Sequence, residues 1–316
     1  MSFVAYWHEQ TGLPEKWFCR HIGIRQERLS DWRRRFGLPN AHNGQMPRYF
    51  WISDEERDRI IDFYLNHPEE GYRRCTYMMI DSDIAYVSPT TTWRVLNRAG
   101  VMRPRSAGST AKGKGFSQPG GPHEQWHTDI SCVQVEGSFY FLICVLDGYS
   151  RYIVNWDLRA SMETGDVSIV QQRALENAPE GVRPRIISDR GSQFTAREFR
   201  KFISLHGLTQ TTTSPYYPQS NGKIERFYRT VKGEGIRGKA FNDRDHAKQI
   251  LDKYIKYYNN ERLHSAIGYV TPDDRLAGRT EQIHNERDRK LAEARRKRRN
   301  YSSSLPPYFS ENHAVA

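Results

Sequence analysis

Residues 186–194 read IISDRGSQF, and residues 211–232 read TTTSPYYPQSNGKIERFYRTVK. In the first stretch two isoleucines precede Asp189 and Gly191 follows it, a pattern typical of a short buried strand that ends at a carboxylate. In the second stretch a turn rich in proline, asparagine and glycine leads into a helix, and Glu225 lies in its first turns. We therefore expect one acid at the end of a strand and another near the start of a helix.

A third acid, Asp129, lies in residues 125–133, which read QWHTDISCV. The period-two alternation of this run puts Trp126 and Ile130 on one face and Asp129 on the other, as in a β-strand. Three acids thus come from three separate elements, an arrangement in which they can meet at one site.

The composition predicts a multidomain globular protein. The chain has 316 residues, of which 37% are hydrophobic and 12% aromatic, enough for two or three compact units. No run approaches the 18 or so apolar residues that span a bilayer, and the first residues lack the basic start and apolar centre of a signal peptide. We expect a soluble cytoplasmic protein without a membrane partner.

The net charge of +11 points to a polyanionic partner, because lysine and arginine neutralise phosphates and release their condensed counterions. The four cysteines are too scattered for a disulfide scaffold or a zinc site. The sequence therefore favours a nucleic-acid partner and reduced, structural thiols.

Residues 1–38 are predicted to be helical, with Gly23 between two helices and a basic run that includes Arg33 and Arg34 on the second. A helix, a glycine-containing turn and a basic second helix suggest a helix-turn-helix unit that binds DNA. An ordinary helical pair with a solvated basic face explains the pattern equally well, and both interpretations stay open.

A second helical unit is predicted over residues 48–102. Its last helix begins at Ser88, with Pro89 in the first turn, and is expected to bury Trp93 and Leu96. We predict that this helix enters a major groove, with a merely solvated face as the alternative. The side chains expected to contact DNA are Thr91, Thr92, Arg94, Asn97 and Arg98.

Two further stretches separate or follow the folded parts. Residues 103–122 are rich in glycine, serine, proline and lysine without apolar periodicity, which predicts a flexible basic linker. Residues 279–316 are predicted to form a charged basic helix followed by a disordered tail, with nonspecific phosphate contact as its function.

Between them, residues 125–158 contain three strand-like runs joined by short connections. Short connections predict an antiparallel meander, because parallel neighbours need a long crossover. A helical stretch, the strand before Asp189, a second helical stretch and a last strand follow. This order predicts an α/β fold, a mixed sheet with helices packed on it.

Asp129, Asp189 and Glu225, with DRGSQF and SPYYPQSNGKIERF around the last two, resemble the motif of DDE transposases and retroviral-type integrases. The resemblance implies an RNase H-like mixed-sheet catalytic core over residues 123–278, preceded by all-α helix-turn-helix domains. It implies that the three acids bind two magnesium ions, for which manganese can substitute, and catalyse DNA strand cleavage and strand transfer. The subfamily stays open.

The chemistry of the three acids agrees with that implication. Magnesium prefers hard oxygen ligands and keeps several waters, so the lack of a cysteine and histidine cluster is no objection. Lys232 follows Glu225 by seven residues and returns to roughly the same helix face, so we expect Lys232 and Arg229 to contact DNA phosphate.

The resemblance also implies the partners: double-stranded DNA, as element terminal repeats and as target, and a homodimer or larger assembly on paired ends. It places the protein at the bacterial nucleoid. Two alternatives remain at this point, a metal-dependent nuclease that stops after cleavage and a DNA-binding repressor with an inactive core.

Overall fold

The structure, a computed structural model, describes residues 2–34, 36–37, 52–102, 118–213 and 221–304. Most of the predicted linker and the end of the predicted tail lie outside these ranges. The chain divides into two compact units, one of residues 1–51 with 295–316 and the other of residues 52–294.

In the first unit the described residues near the N-terminus form three helices. They are α1 (Ser2–Thr11), α2 (Glu15–His21) and α3 (Gln26–Arg34). Gly23, with a φ of +71°, lies in the turn between α2 and α3, where a left-handed backbone favours glycine. Val4, Phe18, Cys19 and Leu29 form a small buried cluster. The predicted helical pair is present, and α1 precedes it.

The second unit begins with three helices that build their own core around Ile60, Met79 and Leu96. They are α4 (Asp54–Asn66), α5 (Tyr72–Asp81) and α6 (Pro89–Arg98). Ser53 and Glu56 form a capping box at the start of α4. Ser88 caps α6 with Pro89 at its first position, as predicted.

A five-stranded sheet follows, with the order β3-β2-β1-β4-β5. Its strands are β1 (Gln125–Val135), β2 (Ser138–Asp147), β3 (Ile153–Arg159), β4 (Arg185–Ser188) and β5 (Thr209–Thr212). The first three pair antiparallel, whereas β4 pairs parallel with both β1 and β5. The predicted antiparallel meander and the RNase H-like mixed sheet are confirmed.

The helices after α6 include those that cover both faces of this sheet and two that follow them towards the C-terminus. In the order of the chain they are α7 (Thr164–Asn177), α8 (Ser192–Thr195), α9 (Arg197–Leu205), α10 (Gly222–Thr230), α11 (Arg244–Asn260), α12 (Pro272–Leu276) and α13 (Thr280–Ser304). A π-helix (Val231–Ile236) continues α10, and a short 3₁₀ turn (Ser265–Ile267) follows α11. Among the described helices, none is both long and apolar enough to cross a bilayer.

The side chains of β2 alternate between two hydrophobic cores, one on each face of the sheet. Leu142 and Cys144 pack with α10, the π-helix and α11 on one face, whereas Ile143 and Val145 pack with α7, α8 and α9 on the other. Successive strand residues point to opposite faces, so one apolar strand can serve two buried layers. The apolar burial of both faces fixes the register of the central strands.

Asn259 attaches α11 to the sheet at the start of β3. Its side-chain carbonyl accepts a hydrogen bond from the backbone N–H of Ile153 (2.9 Å), and its amide donates to the backbone carbonyl of the same residue (3.1 Å). Both residues are buried. The helix therefore satisfies two backbone groups that water cannot reach.

Within residues 52–294 the region of α4, α5 and α6 also contacts the later part of the chain. The hydroxyl of Tyr257 on α11 donates to Glu70 (2.8 Å), and Lys290 on α13 donates to the carbonyl oxygen of Ile80 (3.1 Å). The domain boundaries at 102, 123 and 278 remain a prediction.

Candidate active site

Asp129 lies within β1, and Asp189 lies just beyond the end of the neighbouring strand β4. The parallel pairing of β1 with β4 ends at His127 opposite Ile187, and each acid lies two residues beyond that last pair. Because adjacent parallel strands keep one register, the extension of this pairing places the two acids side by side. The sheet topology thus brings together two acids that are 60 residues apart in sequence.

Both acids are held by backbone N–H groups. The carboxylate of Asp129 accepts from the N–H of Ile130 through Oδ1 (2.9 Å), and that of Asp189 accepts from the N–H of Gly191 through Oδ1 (2.9 Å). Both side chains are half-buried. Each acid is therefore oriented by its own chain segment.

Glu225 reaches the site from α10, which packs on the sheet next to β1. Ile224, Phe227 and Val231 are buried, as their spacing predicts, whereas Glu225 lies on the exposed face. The buried stripe thus fixes which way the glutamate points, towards solvent beside the sheet rather than into the core.

The electrostatics of Asp129 link the three acids. Its pKa is raised to about 6, mainly because burial disfavours the charged form and also because Asp189 and Glu225 carry negative charge nearby. The N–H of Ile130 and the positive charge of Lys232 act in the opposite direction. Asp129, Asp189, Glu225 and Lys232 therefore share one electrostatic environment, as expected for a common site.

The donor chemistry of the three acids fits a hard divalent cation. Carboxylates that repel one another are stabilised by a cation between them, and their oxygens are the ligands that magnesium prefers. As the side chains are placed, no group of three His, Cys, Asp or Glu residues in the described ranges surrounds a common point. The residues fit the ion in chemistry, while the liganding geometry is not preformed.

Lys232 lies in the π-helix rather than in α10, a change of helix type that the sequence analysis did not anticipate. The π-helix is stabilised by Glu234, which accepts two hydrogen bonds from Arg262 (2.7 and 2.6 Å) and one from the hydroxyl of Tyr254 (2.9 Å). A β-carbon at Gly235 would lie 2.8 Å from the Tyr254 ring, so this close approach requires glycine. Lys232 and Arg229 are exposed.

The prediction that Thr92 faces DNA is wrong. Its side chain is fully buried, and its hydroxyl accepts a hydrogen bond from that of Thr76 (2.8 Å). Trp93, which was expected to pack inward, is 42% exposed. The buried face of α6 runs through Thr92, Val95 and Leu96, so its phase is rotated from the one predicted.

The other residues of α6 that were predicted to contact DNA are at least partly accessible. Arg94, Asn97 and Arg98 are exposed, and Thr91 is half-buried beside Ser88. These side chains lie on the face of α6 that is turned away from its core. Their contact with DNA stays a prediction.

In the first unit Arg33 and Arg34 already have partners. Arg33 donates two hydrogen bonds to Glu15 (2.7 and 2.5 Å), and Arg34 is paired with Asp31. The charge of Arg33 is thus balanced within the unit, which weakens its case as a phosphate contact. Arg34 is the more exposed of the two.

Tyr228 lies on α10 three residues after Glu225, and nothing in the sequence around it predicts a role at the site. Its hydroxyl lies 2.5 Å from the backbone carbonyl oxygen of Asp129 and 3.1 Å from that of Leu142. An aromatic residue at a core position of an amphipathic helix predicts only apolar packing. The signal for the hydrogen bond lies in the tertiary structure alone.

Comparison with known proteins adds two family models, both described as integrase core domain. One matches residues 119–218 and the other residues 206–272. Together they span all three acids of the candidate site.

Two curated relatives come from bacterial insertion elements. The chain is 34% identical to an uncharacterized protein of insertion element IS136 from Agrobacterium fabrum over 142 residues, which cover 43% of this chain and 73% of the relative. It is 30% identical to the transposase for insertion sequence element IS904 from Lactococcus lactis over 157 residues, or 48% of this chain. The chain spans 61% of the length of the IS904 transposase.

Among solved structures, the HTLV-2 integrase catalytic core domain in complex with magnesium is similar to 49% of this chain and 97% of its own. The sequence identity is 15% and the TM-score 0.40. Similarity at this level carries no information on function.

Proposed function

The chain belongs to the family of DDE transposases and retroviral-type integrases, and from this membership we propose that it is a DNA transposase. It cleaves DNA at the ends of a mobile element and joins these ends to target DNA. The observation that carries the proposal is the position of Asp129 and Asp189 on neighbouring strands, close enough to Glu225 that, after burial, the charges of Asp189 and Glu225 add to the raised pKa of Asp129.

In this proposal the three acids are the catalytic residues and hold two magnesium ions, or manganese in their place. When bound, such a pair of ions activates the attacking oxygen and stabilises the leaving oxygen of a phosphodiester. The backbone N–H groups of Ile130 and Gly191 orient two of the carboxylates towards this task. Glu225 completes the set from the exposed face of α10.

The basic residues beside the acids bind the DNA. Lys232 and Arg229 are exposed close to Glu225. The positive charge of Lys232 acts to lower the pKa of Asp129, against the effect of burial. Phosphate contacts position a duplex without reading its sequence. We assign to these two side chains the phosphates next to the scissile bond.

Cleavage by water leaves a 3′-hydroxyl at the element end, and this hydroxyl then attacks a phosphodiester of target DNA. Both steps are in-line displacements without a covalent protein intermediate. The same three acids serve both steps, since both reactions occur at a phosphodiester.

Recognition of the element ends is assigned to the N-terminal helices. On α6 the exposed side chains of Arg94, Asn97 and Arg98 can reach base edges and phosphates, and arginine and asparagine have the donor patterns that read guanine and adenine. The basic α3 is a second candidate. Two or more copies of the chain act together, one on each of two paired ends, on the DNA of the bacterial nucleoid.

The proposal is tested by an assay in which the full chain is incubated with duplex oligonucleotides that carry the terminal sequences of the element, a supercoiled target plasmid and Mg²⁺. We expect both nicked ends and plasmid-joined products. Nicked ends without joined products would indicate a nuclease, and end binding without either product would indicate a repressor. Each of these two results overturns the proposal.

A further inference from the structure

Two polar side chains tie the helix that bears Glu225 to the strand that bears Asp129. The hydroxyl of Tyr228 lies 2.5 Å from the carbonyl oxygen of Asp129. At the N-terminus of α10 the side-chain amide of Asn221 donates to the carbonyl oxygen of Thr128 (3.4 Å). The helix thus contacts two consecutive residues of β1, and Glu225 lies between the two points of attachment.

Tyr228 and Asn221 are both buried, with 6% and 3% of their surface exposed. A buried hydroxyl without a partner is unfavourable, so the Tyr228 hydroxyl is held at an acceptor. A phenol has one proton to donate, and the second carbonyl within reach, that of Leu142, belongs to β2. The hydroxyl therefore lies within reach of a backbone carbonyl group on each of the two strands.

The apolar contacts of α10 do not fix the position of the helix against the strand in this way. Ile224, Phe227 and Val231 bury one face of the helix and the start of the π-helix, but hydrophobic burial is non-directional and permits small rotations and shifts. A hydrogen bond fixes both distance and angle. A ligand set built on separate elements works only if these elements are held to within about 0.5 Å.

We propose that Tyr228 is a positioning residue, whose hydroxyl sets the distance between Asp129 and Glu225 and thereby lets both carboxylates reach the same divalent cation. Asn221 supports this role from the other side of Glu225. The inference rests on the proposed function, since it concerns the same acids. It assigns to Tyr228 no contact with DNA or with the cation itself.

Tyr228→Phe removes the hydroxyl and keeps the ring. Tyr257→Phe is the matched control, because Tyr257 packs against the same apolar cluster while its hydroxyl binds Glu70 (2.8 Å) rather than β1. The first readout is the thermal stabilisation of the full chain by Mg²⁺ alone, measured over a range of concentrations. The second is the rate of single-turnover cleavage of pre-bound end DNA, with end affinity measured beside it.

For Tyr228→Phe we expect the half-maximal Mg²⁺ concentration to rise about tenfold, the lower end of the range for residues that orient metal ligands. We also expect cleavage to slow at fixed Mg²⁺ and to recover at higher Mg²⁺, with end affinity unchanged. Tyr257→Phe should keep the wild-type Mg²⁺ dependence, even where its melting temperature without Mg²⁺ falls.

A Tyr228→Phe protein with the Mg²⁺ dependence of the Tyr257→Phe control would overturn the inference. If Tyr228→Phe does not fold, Asn221→Ala is measured in the same way, and a wild-type Mg²⁺ dependence of that variant would have the same consequence. Failure of the proposed function is distinct, because the wild-type chain itself would then show neither stabilisation by Mg²⁺ nor cleavage.

Discussion

The guanidinium group of Arg287 on α13 donates two hydrogen bonds to the carboxylate of Asp81 on α5, from Nε (2.7 Å) and from Nη2 (2.6 Å). Arg287 is 4% exposed, and its guanidinium lies 4.9 Å from the ring centre of Tyr77. A long helix near the C-terminus is thus bound to the helical region that precedes the sheet. Since the two residues are 206 positions apart, this contact closes a large loop of the chain.

Arg287→Ala should lower the free energy of unfolding of the full chain by about 2–3 kcal/mol, less than for a fully buried pair because the side chain of Asp81 is 37% exposed. Urea denaturation measures this. Arg289→Ala is the control, since Arg289 is an exposed neighbour on the same helix and forms ion pairs with Glu286 and Glu293 within it. Equal midpoints for both variants would show that the Arg287 contact does not stabilise the fold.

Asn259→Ala should be among the most destabilising single changes in α11. It leaves the N–H and the carbonyl of Ile153 without the partners they have in the fold, and each unsatisfied buried group costs about 1–3 kcal/mol. Asn260→Ala, at the exposed next position of the helix, should leave the unfolding midpoint nearly unchanged. A small loss for Asn259→Ala would mean that these two hydrogen bonds contribute little to holding α11 against the sheet.

The corrected phase of α6 gives a prediction about DNA recognition. Asn97→Ala should reduce the preference for end DNA over random duplex by about 1–3 kcal/mol, because Asn97 is exposed on the face that we assign to DNA. Thr92→Val should lower stability through the lost contact with Thr76 but keep that preference. Competition binding assays on both variants measure it, and a loss of preference for Thr92→Val alone would restore the original assignment.

Lys232→Ala should weaken cleavage without abolishing it, and it should lower the slope of log affinity against log salt by about 0.9 through the loss of one phosphate contact. Lys256→Ala removes an exposed lysine that is paired with Asp252 on α11 (2.7 Å), and its salt slope should equal that of the wild type. The affinity for end DNA, measured over a series of salt concentrations for both variants and the wild type, tests these two expectations. Identical slopes for the wild type and Lys232→Ala would leave Lys232 without a phosphate contact.

Local patterns in the sequence predicted most of the fold. Alternation over residues 125–133 predicts a strand, and the capping residue Ser88 with Pro89 places the start of α6 correctly. These features are visible because their causes lie within a few residues of one another. The antiparallel pairing of β1, β2 and β3 was also predicted, since short connections permit only antiparallel neighbours, whereas the place of β4 between β1 and β5 was not.

What the sequence did not reveal depends on contacts between distant residues. The π-helix depends on the ion pair of Glu234 with Arg262, 28 positions away, and on the ring of Tyr254 against Gly235. The rotation of α6 depends on the hydrogen bond between Thr76 and Thr92, which lets a polar residue take a core position. In both cases the two interacting residues are too far apart in sequence for a local pattern to reveal the contact.

The three acids themselves were predicted from their motifs, and the parallel pairing of β1 with β4 explains why Asp129 and Asp189 lie on neighbouring strands. Their catalytic role is the central claim. Asp129→Asn, Asp189→Asn and Glu225→Gln remove the negative charge from each acid in turn while keeping its shape, so the fold and the N-terminal helices should be unaffected.

The most direct measurement is the rate of end cleavage and of strand transfer by these three variants in Mg²⁺, with end-DNA affinity measured on the same preparations. We expect each variant to lose both reactions while its affinity for end DNA stays close to that of the wild type. Near-wild-type cleavage by any one variant that still binds end DNA would contradict the account and remove that acid from the catalytic set.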